Sequence, residues 1–294
     1  MKTMLFFTLT CLFTSFAAPL FAQDQEPEFI FNTWELNKDD SRYIFADTAL
    51  VRISPDTKQA AIDTLLAGDD ITAIDILAGK LLTLKGLTLP WVQIKYKKDG
   101  VEKKGYVWEG LISFSPMRRG DMKFVFAYDR RMDTLIDNEK RPQYIVKLKA
   151  VQARKILAAT AFRIMDDESA GFSNAKVMPG LGLTNVQNII SVGFGGAACG
   201  VPTNYYYFAW MKDGRIALLP ERMDVGDAGV YYHSESFIFP GEKGGMPDTI
   251  ILKMHEEEET DKLDKNGEPV MSVKEESTKY SWDGVNGTFK KLGK

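Results

Sequence analysis

Apolar and polar residues alternate along most of this chain. In Trp91–Lys98, Val92, Ile94 and Tyr96 fall on one face, with Trp91, Gln93 and Lys95 on the other; Phe124, Phe126 and Tyr128 alternate in the same way. A period of two is the signature of half-buried β-strands. Dipeptides that tolerate positive φ sit between such segments. Asp99-Gly100 separates Trp91–Lys98 from Val101–Trp108, and Asp213-Gly214 separates Tyr205–Lys212 from Arg215–Pro220. Asn266-Gly267 and Asp283-Gly284 recur further on, each predicting a tight hairpin. Helical periodicity is scarce. Ala60–Leu66 and Lys147–Ala161 have helix-compatible composition, although the second also alternates. The chain therefore reads as mainly β and antiparallel.

The stretch Ser113-Phe114-Ser115-Pro116-Met117-Arg118-Arg119-Gly120 combines Pro, Gly and paired Arg between two strand-rich blocks, which predicts a short linker. It divides the chain into a first block over 24–116 and a β-rich second block over 120–294. The second is expected to form an antiparallel sandwich or meander. Thr249–Leu292 could supply the three or four strands of a propeller-blade-like unit.

Residues 1–22 read as an export signal: Met1-Lys2, an apolar stretch from Leu5 to Phe21, then Ala22 before the polar Gln23-Asp24-Gln25-Glu26. The apolar run falls short of a bilayer span, and no later segment is apolar enough for one. The expected location is periplasmic or extracellular. Removing 1–22 removes Cys11 and leaves Cys199 as the single thiol, so no internal disulfide is expected.

In the first block Asp47–Arg52 precedes a turn at Ser54-Pro55-Asp56-Thr57. Ile62-Asp63-Thr64-Leu65 then leads into Ala67-Gly68-Asp69-Asp70-Ile71. Pro90-Trp91-Val92-Gln93-Ile94 follows, and Gly105-Tyr106-Val107-Trp108 closes the series ahead of Leu111-Ile112. In order and spacing, residues 46–114 resemble the bacterial Src-homology-3 domain. Leu77–Leu89 is longer than the corresponding family loop, and Tyr106 stands where Trp is common. The resemblance implies a small β-barrel, with a strand rather than a helix over Lys58–Leu66. It also implies a binding module for cell-wall peptide or an envelope protein, without chemistry of its own. Aromatic side chains carry affinity in shallow peptide grooves, so Trp91, Tyr106 and Trp108 are the candidate ligand-binding residues. Tyr96 is expected inside with Val92 and Ile94, Trp91 opposite them, and one of Tyr106 and Trp108 outward.

A net charge of −3, from 37 basic and 40 acidic residues, offers no footprint for nucleic acid. With two His and two Cys, metal-ligand constellations are few, and no metal or cofactor is expected. Gly193-Phe194-Gly195-Gly196-Ala197-Ala198 fits a dinucleotide fingerprint, but Pro202 and Tyr205-Tyr206-Tyr207 favour a loop and strand where that site needs a helix. It reads as a glycine-rich turn. Asp261–Gly267 resembles a calcium loop only around its glycine and reads as a hairpin tip, Asp224–Asp227 as a loop, and Glu256–Glu259 as a solvated strand end. Cys199 and His233 are the one candidate catalytic pair, as nucleophile and base of a cysteine-peptidase-like envelope hydrolase. That is the alternative to a non-enzymatic exported binding protein.

Overall fold

The computed structural model describes residues 34–196 and 198–293. The expected export signal and Cys11 lie outside them. Alternation governs what forms: the chain is mainly antiparallel β, with two one-turn 3₁₀ helices among the described residues. No described helix is long and apolar enough to cross a membrane.

The first sheet contains β1 (Ser41–Tyr43), β2 (Thr48–Arg52), β3 (Ala61–Leu66), β4 (Asp70–Leu84), β5 (Leu87–Lys98) and β6 (Val101–Trp108), in the order β1-β4-β5-β6-β2-β3. Asp99-Gly100 makes the expected turn, with φ of 51° and 80°. Both stretches with helix-compatible composition are strand. Ala61–Leu66 pairs with β2, and tertiary pairing there outweighs a weak local propensity.

The second sheet runs β10-β9-β8-β7, from β7 (Met117–Arg119), β8 (Met122–Ile136), β9 (Glu139–Gln152) and β10 (Lys155–Met165). Lys147–Ala161 is the β9–β10 hairpin, turned at Ala153 and Arg154 with φ of 48° and 65°. The even-numbered side chains Phe124, Phe126 and Tyr128 point into an aromatic cluster with Phe172 and Phe194. The opposite face carries Val125, Ala127 and Lys149, also buried. Lys149 Nζ bonds there to the Phe45 carbonyl and the Asp47 carboxylate. The β8–β9 hairpin is thus covered on both faces.

The third sheet is built from β11 (Phe172–Pro179), β12 (Val186–Gly195), β13 (Thr203–Met211), β14 (Ile216–Leu218), β15 (Arg222–Asp227), β16 (Tyr231–Ile238), β17 (Thr249–Leu263), β18 (Pro269–Asp283) and β19 (Thr288–Lys291). The strands succeed one another as a meander, with β14 pairing β13 alongside β15. The glycine-rich segment is the β12–β13 connection, Asn266-Gly267 is the β17–β18 tip, and Glu256–Glu259 lies within β17. Asp224–Asp227 is strand rather than loop, because Val225 pairs with His233 and Asp227 with Tyr231. The sheet curls into a half-barrel. Trp282 Nε1 donates to the Thr184 carbonyl at 3.0 Å, and Arg215 Nη2 donates to the Val285 carbonyl at 2.8 Å, tying β18–β19 back to the turns around β12–β14. Ile189, Tyr207, Ala209, Met211, Ile250 and Trp282 fill the curl, while Ile190, Val192, Phe194, Phe208 and Trp210 join the main core on the other face.

The stretch read as a linker belongs to that main core. Phe114 is fully buried, its ring 4.5 Å from that of Trp34, 5.4 Å from Phe126 and 5.2 Å from Phe172. Pro116 and Gly120 bend the chain, but Met117 between them is buried and opens β7. A Pro/Gly-rich composition marks the bends without revealing that the residues between them point inward. Residues from 32 onward form one compact unit.

Candidate functional site

Three aromatic residues were expected to meet a ligand, and the structure treats them differently. Trp91 on β5 and Trp108 on β6 are paired across the strands, and both are buried. What covers them is the extended β4–β5 hairpin. The Trp108 indole N–H donates to the carbonyls of Leu82, 3.0 Å away, and Leu89, 3.2 Å away. The long Leu77–Leu89 segment thus roofs the surface on which the tryptophans would otherwise lie. The expectation of Trp91 as an outward residue is corrected accordingly. Tyr96 is buried beside Val92 and Ile94, as alternation predicts.

Tyr106 and Trp108 lie two residues apart on one strand and so share a face rather than splitting between faces. Tyr106 is half-buried, its hydroxyl accepting from Gln93 Nε2 at 3.2 Å, and it pairs with Arg52 of β2. Exposed Leu50, Ile53 and Ile62 surround the β2–β3 turn beside it. The neighbouring Gly105 permits this approach: a Cβ there would lie 2.4 Å from Val51 Cγ1 and 3.1 Å from the Arg52 carbonyl.

The other candidates were Cys199 and His233. Cys199 is exposed in the β12–β13 connection, where the next residue, Gly200, donates its N–H to the Gly226 carbonyl at 2.8 Å. His233 is buried on β16. Its Nδ1 lies 3.2 Å from Glu256 Oε2 on β17, and its Nε2 lies 3.5 Å from Glu235 Oε1. A carboxylate only accepts, so the Nδ1–H donates to Glu256. The described neighbours of the imidazole nitrogens are carboxylates, not the thiol.

His233 belongs to a polar network that the sequence reading did not assemble. The Tyr231 hydroxyl donates to the same Glu256 oxygen at 3.0 Å. Those two bonds hold the Glu256 carboxyl below the usual range, the His233 bond being the larger cause. Glu235 accepts from the Met223 N–H at 2.8 Å, and Arg222 donates to Asp224 at 2.7 Å, to the Glu235 carbonyl at 2.9 Å and to the Tyr207 hydroxyl at 3.0 Å. The Arg222 guanidinium also lies 3.7 Å over the Tyr205 ring. Burial opposes its charge, but the bonds to Asp224 and Tyr207 overcome this and raise its pKa. The signal available in the sequence was Arg222-x-Asp224 and His233-x-Glu235, polar pairs at same-face spacing on strands. These bonds link β13, β15, β16 and β17, which gives the network a cross-strand structural role. Among the described residues no three metal-ligating side chains converge.

No protein-family model, no curated protein and no solved structure matches the chain.

Proposed function

We propose that this is an exported, non-enzymatic binding protein whose amino-terminal sheet contacts cell-wall glycopeptide through the Tyr106 surface. The observation that carries the reading is the half-exposed phenol of Tyr106, held by Gln93 and bordered by exposed Leu50, Ile53 and Ile62. An aromatic ring fixed beside apolar side chains, with Arg52 adjacent, suits a peptide that offers both apolar and acidic groups. The six-stranded antiparallel sheet and the order of its motifs support reading residues 46–114 as similar to the bacterial Src-homology-3 domain. In this chain the binding surface would lie away from the tryptophans, because the β4–β5 extension covers them.

The test is binding of the full chain to purified cell-wall glycopeptide, comparing wild type with Tyr106→Ala. Truncating a central aromatic contact costs on the order of 1–2 kcal/mol, or roughly tenfold in affinity. Unchanged affinity in a Tyr106→Ala protein with an unaltered circular-dichroism spectrum would overturn the placement. Absence of wild-type binding would overturn the ligand class.

A further inference from the structure

The outer edge of the second sheet is unusually bare. Strand β10 closes the order β10-β9-β8-β7, pairs only with β9, and has no other backbone partner among the described residues. In an antiparallel pair alternate residues turn their N–H and C=O away from the partner, so β10 presents a row of free donors and acceptors. Protein sheets blunt such edges with Pro, lysine or a short strand. Here the strand is 11 residues long, and Leu157-Ala158-Ala159-Thr160-Ala161-Phe162 contains no charge and no proline. Leu157 is 48% exposed, and Ala159 and Ala161 are exposed as well. The single irregularity, a register shift between Ile156 and Ala158, falls at the end near the turn and leaves the rest of the edge regular.

We infer that β10 is a homodimerisation edge, pairing antiparallel with β10 of a second copy about a twofold axis at Thr160. Charge placement selects this occupant. The segment is basic where it begins, at Arg154 and Lys155, and acidic just after it ends, at Asp166, Asp167 and Glu168. Antiparallel pairing centred on Thr160 sets Lys155 opposite Met165 and brings Arg154 alongside Asp166. The basic end of each copy therefore meets the acidic end of the other. In the same register Ala159 faces Ala161 and Leu157 faces Arg163, so no like charges are opposed. Small side chains at the centre let the backbones reach ladder distance without repacking. The interface is isologous and closed, which consumes both bare edges and yields one continuous eight-stranded sheet.

Sedimentation of the full chain across a dilution series tests this. The wild type is expected to dimerise, and Ala161→Pro, which places a ring on the edge, is expected to weaken the dimer by roughly tenfold or more with the β-sheet spectrum retained. Because a proline variant risks misfolding, Thr160→Cys in a Cys11→Ser, Cys199→Ser background provides an independent measurement. Thr160 is the residue that opposes itself across the axis, so mild oxidation should link two copies, whereas Ile156→Cys, facing Ile164, should not self-link. A monomeric wild type, a dimer that a folded Ala161→Pro leaves intact, or equal cross-linking at positions 156 and 160 would each overturn the proposal.

Discussion

The indole N–H of Trp108 points at the carbonyl oxygen of Leu82, 3.0 Å away, and so joins the closing strand of the first sheet to the extended β4–β5 hairpin. The hairpin is latched down over a tryptophan that would otherwise lie on the surface. Trp108→Phe keeps most of the packing and loses the donor, with an expected cost of about 1–2 kcal/mol. Trp108→Ala removes the ring and is expected to cost about 3–5 kcal/mol. Chemical denaturation measures both. The roof itself is testable through Trp91, whose fluorescence should become accessible to a soluble quencher in Trp108→Ala and not in Trp108→Phe.

Phe114 makes a second case in which position in the fold overrides composition. Its ring contacts Trp34 from the amino-terminal side and Phe126, Tyr128, Phe172 and Phe194 from the carboxy-terminal side. Phe114→Ala should therefore cost about 3–5 kcal/mol. With one buried cluster shared across it, unfolding followed by Trp fluorescence and by circular dichroism should coincide in wild type and variant alike. Separate transitions for the two probes would show that Phe114 does not couple the sheets.

Much of the strand architecture is legible in the sequence because alternation and Asp-Gly turns are local. Asp99-Gly100 marks its hairpin because both residues accept positive φ at low cost. Ala153-Arg154 makes the same kind of turn with no such signal, and the β9–β10 hairpin was accordingly hidden inside an apparently helix-compatible stretch. Burial was less legible than strand position. Alternation separates Trp91 from Val92 and Ile94 but does not tell that a hairpin folds over the far face as well. The Arg222–Glu235–His233–Glu256 network was out of reach for another reason: it depends on which strands become neighbours, and the register is set by non-local pairing.

The placement of Cys199 and His233 makes a prediction about thiol reactivity. Cys199 is exposed, while His233 is buried with its nitrogens directed at Glu256 and Glu235. A nucleophilic pair would depress the thiol pKa and make its reactivity depend on the imidazole. Cys199 is expected to react with a thiol reagent in the native state, with a pH profile that His233→Gln leaves unchanged, and Cys199→Ser is expected to alter stability by less than about 0.5 kcal/mol. A profile that shifts upward in His233→Gln would restore the hydrolase reading.

Glu109, in the 3₁₀ turn Glu109–Leu111 that follows β6, is buried, and burial pushes its carboxyl up to about 8. The folded state therefore retains this proton over a pH range in which the unfolded chain, with an ordinary glutamate near 4.5, has released it. Stability then falls as pH rises, because the folded protein binds more protons than the unfolded one between those two values. The Glu109 contribution is flat below about pH 4.5, declines through neutrality and levels off above about pH 8, a total of about 4 kcal/mol. Glu109→Gln keeps the shape and cannot ionise. It should match the wild type near pH 4, gain on it steadily through neutrality, and be the more stable by several kcal/mol at pH 9. Urea denaturation at pH 5, 7 and 9 reads the difference between the two curves. Parallel curves would mean that the wild-type carboxyl ionises in the folded state at its ordinary pKa, solvated despite its position beneath the first sheet.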